Sequence, residues 1–126
     1  MTLTVSPEDF NKHQKRLTNH FDDEISYRCS ISRGYYYVFH YIRSNWNNHP
    51  KSDFRFKSGD HGRVRDFLRE VGEKDLADTL EDMHDLRKIA DYDIDNANKN
   101  ILEAYYVGFS NDLVKLIQNI QSSPNL

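Results

Sequence analysis

The hydrophobic positions of this chain recur every three or four residues, which is the spacing of a helix that buries one face. The clearest case is residues 97–121, whose apolar row consists of Leu102, Tyr105, Phe109, Leu113, Leu116 and Ile120. No segment of useful length alternates between apolar and polar positions, as a half-buried strand would. The pattern predicts an all-α protein.

Capping residues and helix breakers divide this pattern into five segments. Ser6 followed by Pro7 and two acids predicts the start of the first helix, whose apolar side is marked by Phe10, Leu17 and Phe21. Pro50 ends the second helix, because the residue before a proline is disfavoured in helical geometry, and Gly72 ends the third. The predicted helices span residues 7–20, 24–46, 60–71, 74–92 and 97–121.

Helices of this number and length predict an antiparallel up-and-down bundle of four long helices plus a short one. A chain of 126 residues suits a single domain around one core. We expect residues 1–5 and 122–126 to fray at the two ends. The polar, basic segment 50–60 predicts a loop.

Cysteine content and hydropathy favour a soluble, cytoplasmic protein. The single cysteine excludes an internal disulfide framework and suits a reducing compartment. No apolar run approaches the ~18 residues of a membrane span. Residues 1–5 are too short and uncharged for a signal peptide.

The net charge of −3 hides a strong asymmetry along the chain. Residues 28–65 hold eight arginines and lysines but only two acids, a net charge of +6, whereas the remainder carries −9. Such a local excess of cations can hold a phosphate backbone. The alternative is a solvated face that pairs with the acidic helix following it.

The second predicted helix carries the first candidate site. Arg33 and His40 are seven positions apart, close to two turns, so they share one helix face with Tyr36 and Tyr37 between them. The opposite side has an apolar row of Tyr35, Val38 and Ile42. We therefore expect one side of this helix to pack and the other to present a cation and a titratable base. The alternative is that Arg33 reaches an acid of the fourth helix and His40 is structural.

The second candidate site ends the fourth predicted helix. Arg87 and Asp91 are four positions apart and are expected to pair along the helix. Tyr92 follows directly. The alternative is that Tyr92 is a hydrophobic plug and Asp91 an acid at a helix end.

In this order, the motifs resemble the HEPN family of small helical domains. They are Ser32-Arg33-x-Tyr35-Tyr36 with Phe39-His40, a basic loop leading to His61-Gly62, and Leu86-Arg87-x-x-Ala90-Asp91-Tyr92-Asp93. The resemblance covers about residues 24–120. It is closest to the stand-alone prokaryotic branch with a Ser-x-Tyr-Tyr helix and an Ala-Asp-Tyr turn.

The resemblance implies a HEPN-like bundle that forms a two-fold homodimer. Many HEPN relatives are metal-independent endoribonucleases that act as toxins or anti-phage defence effectors, with an arginine and a histidine separated by four to six intervening residues. Arg33 and His40 match this motif with six residues between them. Gly34 departs from it, since active nucleases commonly carry Asn, Asp or His there. The alternative is a non-catalytic module that binds a nucleotide or a partner, such as an antitoxin, a nucleotidyltransferase or another defence protein.

For metal-free RNA cleavage, His40 is the expected base and Arg33 the cation that stabilises the charged phosphorane. A two-fold dimer would bring two such pairs into one cleft. No cofactor, metal or membrane is expected to take part. The expected substrate-binding residues are Tyr36, Tyr37, Arg55, Lys57, His61 and Arg63. The expected supporting residues are Ser32, Arg87, Asp91 and Tyr92.

Overall fold

The computed structural model describes residues 6–52 and 60–126, and this part of the chain is all helical, without a strand. The five helices are α1 Pro7–His20, α2 Glu24–Asn45, α3 Asp60–Glu70, α4 Lys74–Tyr92 and α5 Lys99–Ser122. All five predicted helices are confirmed, and no bound differs from its prediction by more than two residues.

Local hydrogen bonds and one glycine set several of these bounds. At the start of α2 the Asp23 carboxylate accepts a hydrogen bond from the Ser26 amide at 2.9 Å. At the start of α5 the Asn98 side chain accepts one from the Ile101 amide at 3.0 Å. Both satisfy backbone donors that a helix leaves unpaired at its first turn. Gly72, with a φ of +90°, follows α3 in a conformation that residues with a Cβ rarely adopt.

The central helix is α2, which contacts each of the other four helices. Its predicted apolar row is confirmed, because Tyr35, Val38 and Ile42 are fully buried. The inner row of α4, formed by Leu76, Leu80, Met83 and Ala90, is also buried. One core joins these residues to fully buried side chains of α3, α4 and α5, among them Phe67, Leu80, Met83, Phe109 and Leu116.

Phe21 and Tyr105, which belong to the predicted apolar rows, are exposed. Phe21 is exposed because it lies just past the end of α1, and α1 instead buries the polar Asn11 and Gln14. Tyr105 is also exposed, whereas the neighbouring Tyr106 turns inward and donates its hydroxyl hydrogen to Gln14. Spacings of three and four allow either tyrosine to face the core, so the packing of the neighbouring helix determines which one is buried.

Arg28 belongs by sequence to the basic stretch, but its side chain is buried, with 6% of the residue exposed. Its guanidinium donates hydrogen bonds of 2.8–3.1 Å to four backbone carbonyls, those of Ile89, Ala90, Asp93 and Ala97. These carbonyls lie at the end of α4 and in the turn before α5. Arg28 therefore joins the start of α2 to the end of α4, and its charge is not available to a phosphate backbone.

The last residues of the chain contact the start of α4. Ser123 Oγ donates a hydrogen bond to the Glu73 carboxylate, and Asn125 Nδ2 donates to the same carboxylate at 3.0 Å. Leu126 packs against the core. These three residues belong to the segment that the sequence predicts to fray. Among the described residues, no helix has the length and apolar character that crossing a membrane requires.

Candidate functional site

The His40 ring lies half-buried between two aromatic rings. It stacks on Phe10 of α1 and on Tyr36 of α2, with centroid distances of 5.3 and 5.8 Å. Burial, with a smaller contribution from the nearby Arg43 charge, lowers the pKa of His40 from its usual 6.5. At neutral pH the imidazole is therefore uncharged and able to accept a proton.

His40 opens into a pocket of about 220 Å³ at the end of α2. The pocket is lined by His40, Arg43, Ser44 and Asn47. The Arg43 guanidinium lies 5.9 Å from the centre of the Phe39 ring, which fixes one side of the pocket. A neutral base and a guanidinium, whose donors match the geometry of a phosphate, thus share one opening.

Arg33 is half-buried on α2 but does not line the His40 pocket. Two helical turns separate the residues by roughly 10 Å along the axis. None of the described residues hydrogen-bonds to Arg33 or forms an ion pair with it. One chain therefore does not bring the predicted pair together, and the cation that lines the pocket with His40 is Arg43.

α2 packs on more than one side. Twelve of its residues are buried, and α1 contacts it at Ser30 and His40. The large aromatic side chains of α2 need more than one partner helix, because they surround most of its circumference. His40 lies beside Phe10, in the first turn of α1, and is half-exposed.

Gly34, the residue that departs from the HEPN motif, faces α5. A Cβ built at this position would lie 2.5 Å from Phe109 Cε1 and 3.2 Å from Leu113 Cδ1. Both neighbours are buried in the core, so neither can move away at low cost. Close packing of α2 on α5 therefore requires glycine here, and a larger side chain would enter the core.

The predicted supporting residues form one network between α2 and α4. Arg87 Nε lies 2.9 Å from Asp91 Oδ2, which confirms the predicted pair, and Ser32 Oγ donates to the same oxygen at 3.3 Å. Arg87 Nη2 donates to Tyr36 Oη at 2.7 Å. The guanidinium also lies 5.1 and 5.6 Å from the ring centres of Tyr36 and Tyr92. The network fixes the Tyr36 ring on which His40 stacks.

A second cluster, which we call the histidine cluster, consists of Tyr35, His61, Arg65 and His84. Tyr35 Oη lies 2.6 Å from His61 Nδ1, and the His61 and His84 rings stack with centroids 4.7 Å apart. Arg65 Nη1 lies 3.1 Å from His84 Nδ1. A guanidinium only donates, so His84 Nδ1 accepts and its imidazole is neutral. The histidine cluster joins α2, α3 and α4.

Protonation in the histidine cluster is fixed by burial. Burial, followed by the charges of His61 and Arg65, lowers the pKa of His84 to about 4. Burial also raises the pKa of Tyr35, so its phenol stays protonated. His84 had no role in the sequence analysis. Its partners Tyr35 and His61 are distant along the chain, so the sequence does not predict the cluster. The one local indication is that His84 lies three residues before Arg87.

Tyr37 and Arg63, two further predicted site residues, do not line the His40 pocket. Tyr37 is buried and lines a different pocket, between α1, α2 and α5. Arg63 is half-buried on α3. Arg55 and Lys57 lie outside the described residues, so their contact with a phosphate backbone stays a prediction. In residues 6–52 and 60–126 no group of three or more His, Cys, Asp or Glu side chains is arranged to hold a metal ion.

Comparisons with models of protein families, with curated proteins and with solved structures find no match to this chain. The HEPN resemblance therefore rests on the ordered motifs alone.

Proposed function

We propose that this chain is a HEPN-like, metal-independent endoribonuclease that acts as a toxin or defence effector, with His40 as its general base. The observation that carries the proposal is the neutral imidazole of His40 beside the Arg43 guanidinium in one open pocket. The order of the three motifs supports the family. Gly34 does not oppose it, since packing against Phe109 accounts for glycine at that position.

The proposed reaction uses the neighbouring 2′-hydroxyl of the RNA as nucleophile. His40 takes the hydroxyl proton, the 2′ oxygen attacks phosphorus, and the bond from phosphorus to the 5′ oxygen breaks. The leaving oxygen takes a proton from an acid, which gives a 2′,3′-cyclic phosphate and a 5′-hydroxyl. Arg43 donates hydrogen bonds to the non-bridging oxygens as their negative charge increases.

A two-fold dimer would supply the acid and a role for Arg33. Two His40 side chains facing one cleft can divide the work, one as base and its mate as acid. Arg33 would then contact the phosphate backbone from either protomer. An antiparallel bundle suits this arrangement, and the hydrogen bonds from Arg28 near the start of α2 to the end of α4 support that topology.

The test is cleavage of a labelled single-stranded RNA in excess EDTA, with analysis of the product ends. The parent should leave 2′,3′-cyclic phosphates, and His40→Ala and Arg43→Ala should each lower the rate by about 100-fold or more. The matched controls His13→Ala and Arg16→Ala change exposed residues of α1 and should cleave like the parent. A folded His40→Ala variant that cleaves at the parent rate would refute the proposal.

A non-catalytic partner-binding module is the second candidate, favoured by an apolar surface at one end of the bundle. Tyr92 and Ile94 are each 71% exposed, and Ile25 is 64% exposed. The Arg28 hydrogen bonds hold the start of α2 against the end of α4 and the turn that follows it. Ile25, Tyr92 and Ile94 therefore lie at the same end of the bundle. Exposed apolar side chains grouped in this way mark protein-binding surfaces. Absence of cleavage by the parent, with loss of self-association or partner binding in Ile94→Lys, would favour this candidate.

A further inference from the structure

The end of the bundle that holds the start of α2 and the end of α4 exposes three large hydrophobic side chains. These side chains, which we call the apolar patch, are Ile25, Tyr92 and Ile94. Arg28 lies three residues after Ile25, so the two are neighbours on the surface of α2. The Arg28 guanidinium donates to the carbonyls of Asp93 and Ala97, on either side of Ile94, at 3.0 and 2.8 Å. The backbone under the patch is therefore fixed, although the side chains of the patch face solvent.

An open groove on α4 includes Tyr92 of the apolar patch. It has a volume of about 490 Å³ and is lined by Asp85, Lys88, Ile89, Tyr92 and Asp93. The positions from Asp85 to Tyr92 span two turns of α4, and their spacings place them on one helix face. The Lys88 ammonium already pairs with Asp85 at 3.2 Å. Asp93 accepts a hydrogen bond from Asn96 but pairs with no cation of the described residues.

The apolar patch is surrounded by acids. Six carboxylates lie within three residues of a patch residue along the chain, those of Asp22, Asp23, Glu24, Asp91, Asp93 and Asp95. Apart from Lys88, the cations at this end each pair with one of these acids: Lys99 with Asp22, Arg28 with Glu24, and Arg87 with Asp91. Asp23, Asp93 and Asp95 form no ion pair within the described residues. The surface around the patch therefore keeps a net negative charge.

This charge determines which occupant the apolar patch accepts. A second copy that met this end across a two-fold axis would place the six carboxylates against the same six, because such an interface uses one surface twice. A nucleic acid or an anionic membrane would also meet like charge. A basic protein surface with apolar side chains matches both the charge and the exposed hydrophobic area.

We propose that this end of the bundle binds a partner protein through a segment that carries both apolar and basic side chains. Apolar side chains of the segment would cover Ile25 and Ile94. A lysine or arginine would enter the groove on α4, where its aliphatic stem packs on Tyr92 and its charge pairs with Asp93. The inference rests on the partner-binding surface of the second candidate function and holds whether or not the chain cleaves RNA.

The experiment is isothermal titration calorimetry of the full chain with a synthetic peptide of alternating leucine and lysine pairs. Two control peptides of the same length carry glutamate in place of lysine, or serine in place of leucine. The leucine–lysine peptide should bind saturably, with one site per chain, and each control should bind at least tenfold more weakly. Added salt should weaken the binding, because the acids around the patch are solvent-exposed.

Two pairs of variants test the location of the site. Ile94→Ser should weaken peptide binding at least tenfold, whereas Val107→Ser, at an exposed valine of α5 outside the patch, should leave it unchanged. Asp95→Asn should weaken binding about threefold. Asp82→Asn removes the same charge from an exposed position of α4 outside the groove and should not. Thermal unfolding by circular dichroism shows that the four variants are folded.

The outcomes separate this proposal from other occupants and from the proposed nuclease. Ile94 does not line the His40 pocket, so RNA cleavage by Ile94→Ser should equal that of the parent, and failure of either proposal leaves the other standing. If sedimentation velocity shows self-association of the parent that Ile94→Ser abolishes, a second copy occupies the patch and the proposal is overturned. Absence of saturable binding of the leucine–lysine peptide at millimolar concentration, equal binding of the glutamate control, or unchanged binding in Ile94→Ser would also overturn it.

Discussion

Single residues of this protein have their protonation states set by burial and by the charges of neighbours that are distant in sequence. His84 accepts a hydrogen bond from Arg65 and stacks on His61, so protonation would place a second cation beside a guanidinium. The pKa of His84 is about 4, below its usual 6.5. The folded state therefore binds this proton less readily than the unfolded chain does.

Stability should consequently fall in mildly acidic solution. His84 contributes nothing to the pH dependence above about pH 6.5, and the free energy of unfolding should fall as the pH drops from there toward 4. His84→Gln, which keeps an acceptor for Arg65, should make this fall shallower, whereas His20→Gln at an exposed site should not. Urea unfolding at several pH values between 4 and 7 measures both slopes.

Carboxylates do not account for this pH window. The pKa values of Asp22 and Asp23 are lowered from 3.8 by hydrogen bonds to Tyr27 and to Ser26, so their contribution is lost mainly below pH 4. Equal slopes for the parent and His84→Gln between pH 6.5 and 4.5 would contradict the account of the histidine cluster.

Individual residues also show which contacts can be predicted from the sequence and which cannot. Arg87 and Asp91 lie four apart on one helix, so helical spacing alone predicts their ion pair. Arg28 and His84 find their partners on other helices, and nothing local distinguishes a buried arginine from a solvated one. The same limit applies to Arg43, because helical spacing alone does not show whether it or Arg33 shares a pocket with His40.

At the scale of helices, the bounds follow from local signals, and the buried faces follow from packing. Caps, prolines and Gly72 act within a few residues, which explains why the predicted bounds of all five helices hold. Whether a given side chain is buried depends on which helix packs over it. The apolar spacing of α5 is satisfied by Tyr105 or Tyr106, and only the position of α1, with Gln14, selects Tyr106.

Two helix-interior glycines provide a direct test of the packing of α2 on α5. Gly34→Ala should lower the free energy of unfolding by about 1–3 kcal/mol, because overpacking against Phe109 outweighs the helix propensity gained. Gly108→Ala should raise it by about 0.5–1 kcal/mol, since no atom lies within 4 Å of its added Cβ. Chemical denaturation measures both. Stabilisation by Gly34→Ala would contradict the close approach of these helices.

Arg28 should be among the most sensitive positions for stability. Arg28→Ala removes donors from four carbonyls at the end of α4 and in the following turn, and should cost about 3–5 kcal/mol of unfolding free energy. Arg28→Lys should recover only part of this, because an ammonium cannot span four acceptors as a guanidinium does. The exposed control Arg16→Ala should change stability by less than about 0.5 kcal/mol. A cost for Arg28→Ala as small as that of the control would show that these hydrogen bonds do not hold α2 to α4.

At the scale of the whole molecule, the central helix α2 connects three separate surfaces. Arg28 at its start supports the end of the bundle where Tyr92 and Ile94 are exposed. Tyr37 belongs to the pocket under α1, and His40 belongs to the pocket at the other end of α2. Among the described residues of the basic stretch, Arg28 is buried, and Arg43 lines a pocket with the candidate base.

The central claim is that the imidazole of His40 removes the proton from the attacking hydroxyl, and chemical rescue tests it most directly. The His40→Ala variant would be assayed on single-stranded RNA in excess EDTA, with and without added imidazole, which the pocket of about 220 Å³ has room to admit. We predict that the variant alone is inactive and that imidazole restores cleavage with cyclic phosphate ends, in proportion to its uncharged form. Cleavage by His40→Ala at the parent rate without imidazole, or no cleavage by the parent itself, would contradict the claim.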